Sequence, residues 1–295
     1  RGNIVYWNYS EKKAKPIAAQ EVFALCVLAE LSFEYWKNPN AQKLAVAVNC
    51  PTSMRIDEIC QGFKASLFRA EVGEANVVNL AREKRDEGYN VRIFGEGSNG
   101  GNITSPSAVR DPVATVFALV KLLSIKDTGD SKGLFHIWCT MSGQENRYRD
   151  DFTLEDIIGT LPVYTTTGVS EPRAILDVKT QDKGELKTRF KKEFEKAWEE
   201  KKDWLKAELG IVSYDCCTTN GTRETAGADN WNNGNGGLKV RFLNDEKKGI
   251  AFIWMRPSGT EPVFRVMCDV KGDCRKIEEE LLSWECEILR KADGQ

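Results

Sequence analysis

The chain has 295 residues, 41% hydrophobic and 29% charged, an ordinary globular mixture that excludes a disordered or fibrous protein and suits about two domains of roughly 100–200 residues each. Lys plus Arg number 42 and Asp plus Glu 44, a net charge of −2, so bulk charge gives no handle on nucleic acid or an anionic membrane surface. No apolar run approaches the ~20 residues that span a bilayer, and a soluble protein is expected.

Residues 4–7 (Ile-Val-Tyr-Trp) read as a strand with nothing before it to pair with; a charged, turn-like stretch at 11–15 follows, with Pro16 at a helix start. The helix over 17–36 is apolar on most sides, which predicts deep burial, and Asn38-Pro39-Asn40 ends it. Residues 44–48 (Leu-Ala-Val-Ala-Val) form a continuous apolar run, the mark of a strand buried on both faces. A helix near 55–65, a strand at 67–70, a helix near 76–86 and a second buried strand at 91–94 follow. Alternating short strands and helices imply a mixed, mostly parallel sheet with crossover helices. Helices then dominate at 111–125, 134–141 and 154–161, and 162–172 reads as a linker rich in Thr, Gly and Ser.

Beyond it, Leu186, Phe190, Phe194, Ala197, Trp198, Leu205 and Leu209 recur at three- and four-residue steps in a helix from about 184 to 209. Its Lys/Glu run is a solvated face with i,i+4 pairs. Residues 218–237 read as a long loop, followed by strands at 238–242, 250–254 and 263–270 and a last helix over 275–289. The final third is therefore α+β, with helices flanking an antiparallel sheet. Nine cysteines include no Cys-x-x-Cys pair, and His136 is the single histidine, so reduced thiols in a cytoplasm are expected and a structural zinc is not.

Two loops carry chemistry. Gly95-Glu96-Gly97-Ser98-Asn99-Gly100-Gly101 follows the buried strand at 91–94, at the carboxyl end where open α/β sheets bind ligands. Its glycines permit close approach to the backbone, and Glu96 and Ser98 supply the acceptors and the donor that suit a polyol such as a sugar. A Gly-rich turn without a ligand is the plain alternative. The second loop, Arg256-Pro257-Ser258-Gly259-Thr260-Glu261-Pro262, lies between two strands. Arg256 offers a planar fork matched to phosphate, Ser258 and Thr260 offer hydroxyls, and Gly259 lets backbone N–H groups turn inward. Arg265, just beyond, adds a second positive charge, and no Walker spacing is present.

In this order, the two loops resemble those of the α-D-phosphohexomutase superfamily, the phosphoglucomutases and phosphomannomutases. Thr52-Ser53 with Asp57, and Val72-Gly73, fall at that family's spacings, whereas Glu74-Ala75-Asn76 lacks its basic residue, so no substrate lysine is carried over. Arg1-Gly2-Asn3 is similar to the end of the family's Asp-rich metal loop. The resemblance implies residues 1–38 as the end of a second domain, 39–167 as a sugar-binding third domain and 168–295 as a phosphate-binding fourth domain. It implies Glu96 and Ser98 as sugar ligands, and Arg256, Ser258, Gly259, Thr260 and Arg265 as phosphate ligands. The family moves a phosphoryl group between O1 and O6 of a hexose phosphate through a phosphoserine and a hexose 1,6-bisphosphate. The phosphoserine and the Mg²⁺ ligands are expected upstream, in N-terminal domains outside this sequence. The fragment is thus expected to read substrate without turning it over, with a non-catalytic sugar-phosphate-binding or regulatory protein as the alternative. Nucleic acid and membranes are not expected partners.

Overall fold

The computed structural model describes residues 3–227, 231, 234–258 and 263–294. Contacts divide the chain into two units, residues 1–69 with 73–162, and residues 70–72 with 163–295.

In the first unit, β1 (Val5–Asn8) pairs antiparallel with β2 (Lys13–Pro16), so the opening strand does have a partner, supplied by the charged stretch read as a turn. Helix α1 (Ala19–Lys37) follows; Phe23, Ala24, Leu25, Cys26, Val27, Leu28 and Ala29 are all fully buried. Its interior has neither Gly nor Pro, and Glu21 accepts from the N–H of Ala18 at its start. Burying each large apolar side chain contributes about 1.5–3 kcal/mol, so this helix is a principal source of the unit's stability. Glu30, fully buried on this helix, is paired with Arg92 at 3.0 Å and with Lys121.

The unit continues with β3 (Leu44–Asn49), α2 (Arg55–Gly62), β4 (Ser66–Ala70), α3 (Glu74–Asp86), β5 (Asn90–Glu96) and β6 (Gly101–Thr104). The sheet order is β4-β3-β5-β6, with β3 parallel to β5 and β5 antiparallel to β6, the mixed sheet expected. Helices α4 (Pro112–Ser124), α5 (Leu134–Met141) and α6 (Leu154–Ile158) complete it. Asp111 caps α4 by accepting from the N–H groups of Val113 and Ala114 at 2.9 and 3.2 Å, with Pro112 in the first turn.

The second unit begins with β7 (Tyr164–Thr166) and β8 (Ile175–Asp177), both inside or close to the stretch read as a linker. Then come α7 (Lys183–Leu209), β9 (Ser213–Asn220), β10 (Arg223–Ala226), β11 (Gly237–Leu243), β12 (Gly249–Pro257), β13 (Val263–Lys271) and α8 (Arg275–Asp293). The sheet runs β10-β9-β11-β12-β13-β7, with β8 also on β13 and every described pair antiparallel. The stretch read as a loop from 218 therefore holds the end of one strand and all of another. Phe190, Phe194 and Trp198 of α7, Phe242 of β11 and Trp284 of α8 form an aromatic core between helices and sheet. Among the described residues, no helix is long and apolar enough to cross a membrane. All nine cysteines are free thiols, eight of them buried.

Candidate functional site

In the first unit the site grows from the ends of two parallel strands. Val48 of β3 is in register with Gly95 of β5, which brings the next residues, Asn49 and Glu96, side by side at the carboxyl edge. Gly95 has φ +146°, and a Cβ there would meet the carbonyl oxygen of Gly101 at 2.1 Å, so the chain can turn back into β6 only because this residue is glycine. A single 3-10 turn over Gly97–Asn99 then carries Ser98.

Glu96 is 2% exposed and Ser98 7%. Oε1 of Glu96 accepts from the N–H of Gly73 at 2.8 Å and from Nδ2 of Asn49 at 3.4 Å. Oε2 accepts from Nδ2 of Asn99 at 3.2 Å and from a terminal nitrogen of Arg110. A carboxylate has about four lone-pair positions, so protein donors occupy its acceptor capacity. Nδ2 of Asn49 also donates to Oγ of Ser98 at 2.9 Å, and Asn49 accepts in turn from the hydroxyl of Thr52 at 2.5 Å. Thr52 accepts from the N–H of Gly97 at 3.1 Å, tying the loop at 95–101 to the turn after β3. The structure thus unites Glu96, Ser98, Thr52 and Gly73, and adds two residues that the sequence reading passed over, Asn49 and Arg110. A polar residue ending the apolar run at 44–48 was the available signal for Asn49. No local signal marks Arg110.

In the second unit, Arg256 near the end of β12 lies directly opposite Arg265 on β13. Arg265 donates to the carbonyl oxygen of Val169 at 3.2 Å. The N–H of Ser258 donates to the carbonyl oxygen of Val263 at 2.8 Å. Gly259 and Thr260, both expected to bind phosphate, lie outside the described residues. Nε of Arg256 stands 3.1 Å from Oε1 of Glu71, whose side chain the sequence reading did not single out. Nearby, Lys187 of α7 is fully buried and donates to the carbonyl oxygens of Gly234, at 2.7 Å, and Gly236. Burial pulls its ammonium down to about 8, with Glu71 opposing the shift and Arg256 adding to it.

Among the described residues no group of three or more His, Cys, Asp or Glu side chains is arranged to hold a metal ion. The donors present suit hydroxyls and an oxyanion. His136 holds Asp127 through Nδ1 at 2.7 Å and stacks on Tyr148, a packed role within the first unit.

Residues 21–136 match the family model for phosphoglucomutase/phosphomannomutase, alpha/beta/alpha domain III. No curated protein sequence matches the chain. Among solved structures, it is similar to the exocytosis-sensitive phosphoprotein pp63/parafusin, a phosphoglucomutase from Paramecium, in an open form. That match has TM-score 0.51 and 13% identity and covers 95% of this chain and 43% of the other. A phosphoglucomutase/phosphomannomutase family protein from Burkholderia thailandensis gives TM-score 0.50 and 12% identity, again over 95% of this chain and 43% of the other. The chain thus spans less than half the length of these similar proteins. Residues 21–136 are thus similar to the third domain of phosphoglucomutases and phosphomannomutases, and over 95% of the chain the fold is similar to that of the Paramecium protein.

Proposed function

We propose that the chain is the substrate-binding half of a phosphohexomutase. The observation that carries this is the polar cluster of Asn49, Glu96 and Ser98 at the carboxyl edge of β3 and β5, in a segment matching the family's third domain. Residues 39–167 and 168–295 supply its third and fourth domains in this reading; because the match to the third domain begins at residue 21, α1, which packs inside the first unit, goes with the third domain, and the residues before it end a second. Glu96 meets a sugar by exchanging Asn99 or Arg110 on Oε2 for a hydroxyl, and Ser98 offers its O–H. Arg256, with Ser258, Gly259, Thr260 and Arg265, anchors the phosphate that is not being transferred. Such an anchor suits chemistry that relies on positioning and charge stabilisation.

Mg²⁺ and a hexose 1,6-bisphosphate belong to the whole enzyme in this reading. The described residues offer no ligand set for the metal. Free thiols throughout suit the reducing cytoplasm to which the proposal assigns the protein.

The test is calorimetry of the chain with glucose 1-phosphate and with inorganic phosphate. Charge-assisted hydrogen bonds contribute about 1.5–3 kcal/mol each, so Arg256→Ala should weaken both ligands about 10- to 100-fold. Glu96→Gln should weaken the sugar phosphate and leave inorganic phosphate unaltered. An unchanged dissociation constant for Arg256→Ala would remove the phosphate assignment. A coupled assay with glucose 1-phosphate, glucose 1,6-bisphosphate and Mg²⁺ should show no turnover by this chain; measurable turnover would place the chemistry within it.

A further inference from the structure

Glu71 follows the last residue of β4 and groups with the second unit. Its backbone N–H donates to the carbonyl oxygen of Gly221 at 2.9 Å, fixing the residue against the turn between β9 and β10. Its carboxylate, largely buried, is held from both sides. Oε1 accepts from the N–H of Val72 at 2.7 Å and faces Nε of Arg256 at 3.1 Å. Oε2 accepts from the hydroxyl of Thr219 at 2.8 Å and from the N–H of Gly237. A Cβ at Gly237 would come within 3.3 Å of that oxygen, 3.1 Å of Oγ1 of Thr219 and 2.8 Å of Nε1 of Trp254, so glycine is what permits the close approach. Trp254 and Arg256 are two residues apart on β12 and share a face of the sheet, and Trp254 points a second buried N–H into the same neighbourhood.

Two roles are open to a carboxylate beside a phosphate-binding arginine. It can compete with phosphate, or it can aim the guanidinium. Competition requires Glu71 to leave. Leaving would strip acceptors from Thr219 and the N–H groups of Val72 and Gly237, and would expel a buried charge from its donors. Aiming requires only that it stay. The 3.1 Å contact is an ion pair rather than a hydrogen bond, and it draws the Nε edge of the guanidinium toward Glu71, which leaves the forked terminal nitrogens on the other side for two parallel bonds to an oxyanion.

We infer that Glu71 is a positioning residue for the phosphate anchor: it fixes the Nε edge of Arg256 so that the terminal nitrogens meet phosphate already oriented. This rests on the proposed binding of phosphate by Arg256. Thr219 and Gly237 act one step further back, by fixing Glu71.

The test uses the 295-residue chain, inorganic phosphate and calorimetry, with Glu71→Gln, Arg256→Ala and the double variant, each also melted without ligand. Glu71→Gln should weaken phosphate about 5- to 20-fold, within the range of coupling between contacting residues, and should add nothing in the Arg256→Ala background. A purely structural role would lower the melting temperature and weaken binding equally in both backgrounds, which would overturn the inference. An unchanged or tighter phosphate constant for Glu71→Gln would overturn it too, the tighter value marking a competitor. If Arg256→Ala leaves phosphate binding intact, the functional reading fails and takes this inference with it; if Arg256→Ala weakens binding and Glu71→Gln does not, this inference alone fails. Should Glu71→Gln not fold, Thr219→Val removes one of the bonds that fix the carboxylate. It should weaken phosphate about 2- to 3-fold, again only when Arg256 is present; no weakening there would also overturn the inference.

Discussion

Arg110 closes an ion pair onto Glu96 from fourteen residues further along the chain. Its Nε meanwhile lies 2.8 Å from Glu74 at the start of α3. One guanidinium therefore compensates a buried carboxylate and ties the loop at 95–101 to a neighbouring helix.

Removing that guanidinium should be costly. Arg110→Met leaves Glu96 buried with amide and backbone donors but no countercharge, which predicts a loss of about 2–3 kcal/mol in unfolding free energy. Adding Glu96→Gln should recover much of it, because the uncompensated charge is then gone. Chemical denaturation of the two single variants and the double variant gives the answer. Strict additivity would show that the pair is not coupled.

Gly95 should tolerate no side chain. At φ +146° with a Cβ–oxygen approach of 2.1 Å, Gly95→Ala combines backbone strain with a backbone clash, for about 2–4 kcal/mol of destabilisation. Gly221→Ala is the control, at φ +56° with nothing within 4 Å, and should cost about 1 kcal/mol. Similar melting temperatures for the two variants would contradict the geometry.

Lys187 should leave a signature in alkaline stability. Its folded value of about 8 lies below the ordinary lysine value of 10.5, so between these pH values the unfolded chain binds more protons than the folded one. Stability therefore gains from this residue as pH rises through that window, by at most about 1.4 kcal/mol per pH unit. Lys187→Met removes the contribution, so the difference in stability between parent and variant should vary with pH across the window. A constant difference would mean that Lys187 keeps an ordinary ammonium.

Glu285 on α8 predicts the opposite slope. Neither of its oxygens has a hydrogen-bond partner among the described residues, and burial alone pushes its carboxyl well above the usual range. The folded chain then holds a proton that the unfolded chain releases. Stability should fall as pH rises above about 4.3, the ordinary glutamate value, until the folded group itself ionises. Glu285→Gln should flatten this dependence and be more stable than the parent at neutral pH. A parent and variant with parallel pH profiles would overturn the assignment.

Periodicity made much of this fold legible. The apolar run at 44–48 and the helical series from Leu186 to Leu209 both became the elements they announced, because burial repeats at the spacing of the element. Strand β9 did not show itself. Its sequence, Ser-Tyr-Asp-Cys-Cys-Thr-Thr-Asn, has the polar residues of a loop, and only its register between β10 and β11 makes it a strand. Strand β2 is rich in lysine, a composition that suits an exposed edge and reads as a turn. At the site, the loop residues were visible because glycine spacing is local. Their partners were not: Glu71 and Thr219 stand 148 residues apart and meet only through tertiary structure.

Arg256 and Arg265 face each other across the β12–β13 ladder, and like charges opposite one another oppose the pairing that holds them. Glu71 offsets part of that opposition on the Arg256 side, and in the proposed reading an anion offsets the rest. Under the proposed anchor, phosphate at 100 times its dissociation constant would return about 2.7 kcal/mol. The melting temperature of this chain then becomes a property of its buffer as well as of its sequence. A chloride solution and a phosphate solution of equal ionic strength should report two different proteins.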